Sequence, residues 1–172
     1  MINRREFIET VAAVAAVPVL RLQNTQANEW GAPVFDLHFH LRPAPGSNLA
    51  HLDGAGITKA NLLTRGVVRD QVKALQAAAP SRFTWFNSFD VTKSDAEATL
   101  TQAVKDGAQG FGEMKFHVAA DGLELRRIYA LAADLGVPIL IHVQEVDHFT
   151  GEGTWGTGFA KTFEAVLKAY PR

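Results

Sequence analysis

Strand-like and helix-like stretches take turns along this chain from Pro33 to Ala169, with only short connections between them. Pro33 to His38 is an apolar run that reads as a buried strand, running out into the loop Arg42-Pro43-Ala44-Pro45-Gly46. Ile57 to Thr64, Arg82 to Phe89, Gln109 to Phe116 and Val137 to Val143 give four more strands. Asp70 to Ala79 has Val72, Leu75 and Gln76 at helical spacing and stops before Pro80, because the residue ahead of a proline avoids the helical region. Asp95 to Asp106 is a second helix, opened by the capping-box pattern Ser94-Asp95-Ala96-Glu97 and closed at Gly107. Glu124 to Leu135 puts Leu125, Ile128, Tyr129, Leu131 and Ala132 on one face and ends at Gly136, and Phe159 to Ala169 is the last helix.

Alternation at this spacing argues for parallel βαβ units. An uninterrupted apolar run such as Val137 to Ile141 fits a strand covered on both faces. The fold class is therefore α/β, with about five βα units. A length of 172 residues suits one domain. A whole (β/α)8 barrel, typically about 250 residues, does not fit in it.

The first 27 residues read as an address rather than as fold. Asn3-Arg4-Arg5-Glu6-Phe7-Ile8 precedes a short apolar run from Val11 to Leu20, and a cleavage site follows Ala27 with Thr25 at the preceding small position. Paired arginines followed by Phe7 resemble a twin-arginine signal, which implies export to the periplasm and a mature domain of residues 28–172. The apolar run is shorter than the roughly 20 residues of a membrane span. Formal charge is −1, which gives none of the basic surface that nucleic acid selects. Cysteine is absent from the sequence, so disulfides, Cys-rich zinc sites and a thiol nucleophile are excluded.

Parallel α/β folds gather their chemistry at the carboxyl ends of strands. Three strands place polar groups there: His38 and His40 on the first, Glu113, Lys115 and His117 on the fourth, and His142 on the fifth. In extended chain, residues two apart share a face, so His38 converges with His40, and Glu113 with Lys115. Imidazoles from separate strands are what a divalent transition metal needs. His51, His117 and His148 read as structural histidines or as members of substrate loops. Arg42 reads as a solvated loop residue, with contact to an acidic substrate as the alternative.

Phe35-Asp36-Leu37-His38-Phe39-His40, Gly112-Glu113-Met114-Lys115-Phe116 and Pro138 to Glu145 resemble the amidohydrolase superfamily, in its amidohydrolase-related branch of metal-dependent TIM-barrel hydrolases. The likeness runs from about Val34 to Arg172 and takes in His51 to Ile57 and Pro80 to Phe83. It implies that His38, His40 and His142 bind a divalent ion, zinc, in an incomplete (β/α)8 barrel. Glu113 and Lys115 are both candidates for the carboxylate or carboxylated lysine on strand four. Glu113 is grouped with the ligands and Lys115 with the catalytic groups, while a buried ion pair between the two is the alternative. The implied reaction is hydrolysis of an amide, ester or lactone in a small molecule, with the ion lowering the pKa of a water and polarising the carbonyl. Related branches decarboxylate or hydrate on the same scaffold.

The family also supplies a histidine on strand six and an aspartate on strand eight, which this sequence does not reach. An inactive half-barrel fragment is accordingly the rival reading, and its two open edge strands make a homo-oligomer a further expectation. Gly151-Glu152-Gly153-Thr154-Trp155-Gly156 matches the dinucleotide fingerprint, but starts nine residues after His142. A turn that binds pyrophosphate should begin at the strand end. The segment reads instead as a loop that covers substrate.

Overall fold

The structure is a computed structural model and describes residues 30–66, 68–144, 155–156 and 160–170. The expected export signal, His148 and most of the glycine-rich segment lie outside the described residues. Five strands, β1 (Phe35–His40), β2 (Lys59–Arg65), β3 (Phe83–Ser88), β4 (Phe111–Met114) and β5 (Ile139–Ile141), form one parallel sheet in sequence order. Helices α1 (Pro45–Gly54), α2 (Arg69–Ala78), α3 (Ala96–Lys105) and α4 (Leu123–Leu135) alternate with the strands, and α5 (Ala160–Ala169) follows. The result is a curled half-barrel of βα units. Among the described residues, no helix is long and apolar enough to cross a membrane.

Helix α1 begins inside what the sequence reads as a loop. Pro45 stands at its first turn, where a missing N–H and a fixed φ cost nothing. Its apolar signal is thin: among the described side chains, Leu49 and Leu52 are the large apolar ones that turn toward the core. The capping box ahead of α3 does not form: Asp95 is the N-cap and makes no side-chain cap hydrogen bond. At the end of α4 the expected glycine cap does form, with Gly136 left-handed at φ 67°.

The core lies between sheet and helices in two clusters. Phe39, Ala60, Leu62, Phe83 and Trp85 from β1 to β3 pack with Leu52, Val72 and Leu75 from α1 and α2. Phe111 and Met114 of β4 pack with Leu100, Leu125, Ile128 and Ala132 from α3 and α4, and Val166 of α5 joins them. Helix α3 serves both clusters, through Leu100 on one and Ala103 on the other.

Two strands depart from simple alternation. Between Asp36 and Phe39, β1 spends three steps where β2 spends two, from Ala60 to Leu62. Between Phe111 and Met114, β4 does the same against Ile139 to Ile141 of β5. Each is a bulge that reverses which side chains face the helices. Gly112 sits at the second bulge with φ 139°, where a Cβ would lie 2.7 Å from the Leu140 carbonyl oxygen, so only glycine fits.

The outer strands are less covered than the sequence predicts. Phe35 and Leu37 of β1 are 45% and 60% exposed, and Ile139 to Ile141 are half-buried. The reason is position, because among the described residues β1 pairs only with β2, and β5 only with β4. Apolar composition indicates a strand but not whether a neighbour covers it.

Candidate metal centre

The side chains of His38, His40 and Glu113 come together on the face of the sheet turned away from the helices. Each offers one ligand atom, and these atoms lie within 4.8 Å of one another. Nε2 of His38 is 3.6 Å and Nε2 of His40 is 3.7 Å from Glu113 Oε2. The two rings meet edge to face, with centroids 5.1 Å apart.

The bulges make this convergence. Asp36 pairs with Ala60 and Phe39 with Leu62, both core-facing positions, so the extra residue lets Phe39 enter the core while His40 points the other way. Asp36 holds the turn of chain by accepting the His38 backbone N–H at 2.8 Å. Asn61 Nδ2 donates to the Leu37 carbonyl at 3.5 Å and its Oδ1 accepts from Thr84 Oγ1 at 3.0 Å, a buried polar pair under the bulge. On β4, strict alternation from Phe111 would send Glu113 toward the helices. The bulge at Gly112 returns it to the inner face, where it is 8% exposed.

His142 lies just past β5 and is joined to the same carboxylate. Its Nδ1 donates to Glu113 Oε1 at 2.6 Å, leaving Oε2 toward the other two histidines. A buried carboxylate thus faces three imidazoles, an arrangement in which one oxygen is fixed in direction and the other is presented to a ligand. This group can hold a metal ion: two imidazole nitrogens and a carboxylate oxygen are a donor set of zinc or a similar divalent ion.

Lys115 lies one residue past β4 and is half-buried, and His117 is exposed in the loop beyond. His51 is on α1, 3.4 Å from Arg42 Nη2, with its ring against Phe39. The other two segments of the resemblance meet away from the centre, where Arg82 pairs with Asp53 at 3.0 Å and donates to the Ile57 carbonyl at 2.9 Å. Their role is to tie α1 to β3. Trp155–Gly156, the end of the glycine-rich motif, is strand β7, which pairs antiparallel with β6 (Val143–Gln144) directly after His142.

A cavity of about 400 Å³ opens beside the centre, lined by His40, Glu113, Arg42, Arg65, Gln71 and Ser88, among others. Arg65 and Ser88 escaped the sequence reading although the signal was present. They end β2 and β3 just as His40 ends β1, so the strand-end rule that selected the histidines applies to them equally.

No protein-family model, curated protein or solved structure matches the chain.

Proposed function

We propose that this chain is a metal-dependent hydrolase built on an incomplete TIM-type barrel, acting on an amide, ester or lactone of a small molecule. The observation that carries the reading is the convergence of His38 Nε2, His40 Nε2 and Glu113 Oε2 at the carboxyl ends of two parallel strands. Zinc suits this donor set, with His142 either holding Glu113 or turning to become a fourth ligand. When bound, such an ion would lower the pKa of a water and polarise the substrate carbonyl.

The protein's own part is orientation. Asp36 and the bulge aim the imidazoles, and His142 Nδ1–H fixes the carboxylate plane. Lys115, at the same end of the sheet, is the cation we assign to the charge that develops on the carbonyl oxygen. In the overall reaction a water oxygen bonds to the carbonyl carbon, the C–N or C–O bond breaks, and the water's proton leaves with the departing group. The N-terminal Arg4-Arg5 pattern accords with export of a folded, loaded protein.

A second reading, metal binding without turnover, draws on the side-chain exposure of His38 and His40, 50% and 65%. Hydrolysis of this kind gains from exclusion of water. One experiment separates the readings. The purified 172-residue chain is loaded with zinc, its metal content measured, and turnover assayed on simple anilides and lactones. One equivalent of zinc that is lost in both His38→Ala and His40→Ala supports the centre, and unchanged content in both refutes it. Zinc retained without turnover selects the second reading.

A further inference from the structure

The cavity beside the centre carries two cations that the metal reading does not use. Arg42 and Arg65 both line it, and among the described residues neither guanidinium has a carboxylate within ion-pair distance. Aromatic rings support them: the Arg42 guanidinium carbon is 5.6 Å from the Phe39 ring centroid, and that of Arg65 is 5.8 Å from Phe116. Asp90 is an acid whose charge reaches Arg65. Its carboxylate is already engaged by Thr92, which donates from both its hydroxyl, at 2.7 Å, and its backbone N–H, at 3.0 Å.

A third group points to the same ligand. Ser88 is 2% exposed and lines the cavity, and among the described residues its Oγ is buried without a hydrogen-bond partner. A buried hydroxyl with nothing to bond is costly and uncommon, and it is relieved by a ligand that accepts its hydrogen bond. Two guanidiniums and one hydroxyl are donors to a planar anion. Glu113 contributes the opposing charge in the cavity, and its three histidine contacts keep that charge directed toward the centre.

We infer that this cavity binds a carboxylate, and that the substrate is a carbonyl compound bearing a carboxylate group, held by Arg42, Arg65 and Ser88 with its scissile carbonyl at His40 and Glu113. The identification of the carboxylate as part of the substrate rests on the hydrolase reading, whereas the anion site stands without it. Arg65 and Ser88 end adjacent parallel strands, so they form a rigid pair, and Arg42 closes the site from the loop after β1.

The test uses the full chain, first stripped of metal by chelation and then loaded with zinc, titrated with 4-fluorobenzoate and followed by fluorine NMR. The uncharged 4-fluorobenzamide serves as control. Benzoate binding to both forms, with Arg65→Gln and Arg42→Gln each weakening it by roughly tenfold, is the expected result, since a charge-assisted hydrogen bond contributes about that much. Ser88→Ala weakens it less, and all three variants keep the wild-type zinc content and urea midpoint. Equal binding of benzoate and benzamide, or indifference to both arginine substitutions, overturns the proposal. Inorganic phosphate that displaces benzoate at equal concentration and ionic strength overturns the carboxylate assignment. If zinc content ignores His38→Ala and His40→Ala while benzoate still depends on the arginines, the metal reading fails alone. If zinc depends on the histidines and benzoate ignores the arginines, the anion site fails alone.

Discussion

The two faces of this sheet divide the work of the molecule. Toward the helices, Leu62, Phe111, Leu100, Leu125 and Ile128 are fully buried, and neighbouring strands and helices share one another's side chains. On the opposite face, Phe35 and Leu37 are exposed, and the buried groups Asn61, Thr84, Ser88 and Glu113, beside Leu63, are polar. In a closed parallel barrel both faces are packed. Here the helix-facing side carries the apolar burial that opposes chain entropy, and the inner side is free to hold groups whose burial is unfavourable except when they bind something.

That division predicts unequal responses to substitution. Phe111→Ala removes a ring with no exposed surface and is expected to cost about 3–5 kcal/mol in urea unfolding. Leu37→Ala, on the exposed side of β1, is expected to stay within about 0.5 kcal/mol. Similar losses at the two positions would erase the distinction between the faces.

Gly112→Ala attacks both sides at once. The new Cβ meets the Leu140 carbonyl and the residue is forced to keep a positive φ, for an expected cost of about 1–3 kcal/mol. Because Glu113 follows directly, zinc content should fall with stability. Loss of stability with full zinc content would show that the bulge does not govern the carboxylate.

The last contrast lies at alkaline pH. Tyr129 packs in the helix-side core and donates to the Ala120 carbonyl at 2.9 Å, and burial first, then the charge of Asp121, pushes its hydroxyl up to about 12. The folded state therefore holds its proton where the unfolded chain, near 10, has lost it. Stability from this group is complete below pH 10 and declines as pH rises toward 12. In Tyr129→Phe that part of the alkaline decline should vanish, as read from urea midpoints across the range. An unchanged decline would place its origin elsewhere.

Much of this architecture was legible in the sequence. All five strands and helices α2 to α5 follow from period and punctuation, and Gly136 stops α4 where a left-handed cap is expected. The His38–His40 pairing also follows, because two residues in extended chain share a side. Helix α1 was hidden, since Pro45 and Gly46 signal a loop as readily as a first helical turn. Burial of β1 and β5 was misjudged for a different reason: sequence records apolarity, whereas exposure depends on which strand lies alongside. Arg65 and Ser88 needed only even-handed use of the strand-end rule. The joining of His142 to Glu113, 29 residues apart, is tertiary and no spacing announces it.

The bulges in β1 and β4 have a last consequence. Each one sets the phase of its strand, so that core residue and candidate ligand are neighbours in sequence: Phe39 beside His40, and Glu113 beside Met114. Were either strand to run its full sequence in regular register, the offset would go and the two would trade places, turning a phenyl ring or a thioether out to water and an imidazole or a carboxylate into oil. Such a strand cannot slip a little. Its packing and the placing of its polar groups are correct together or fail together, which makes the bulged register between Asp36 and Phe39, and between Phe111 and Met114, as strict a requirement as the identity of any candidate ligand.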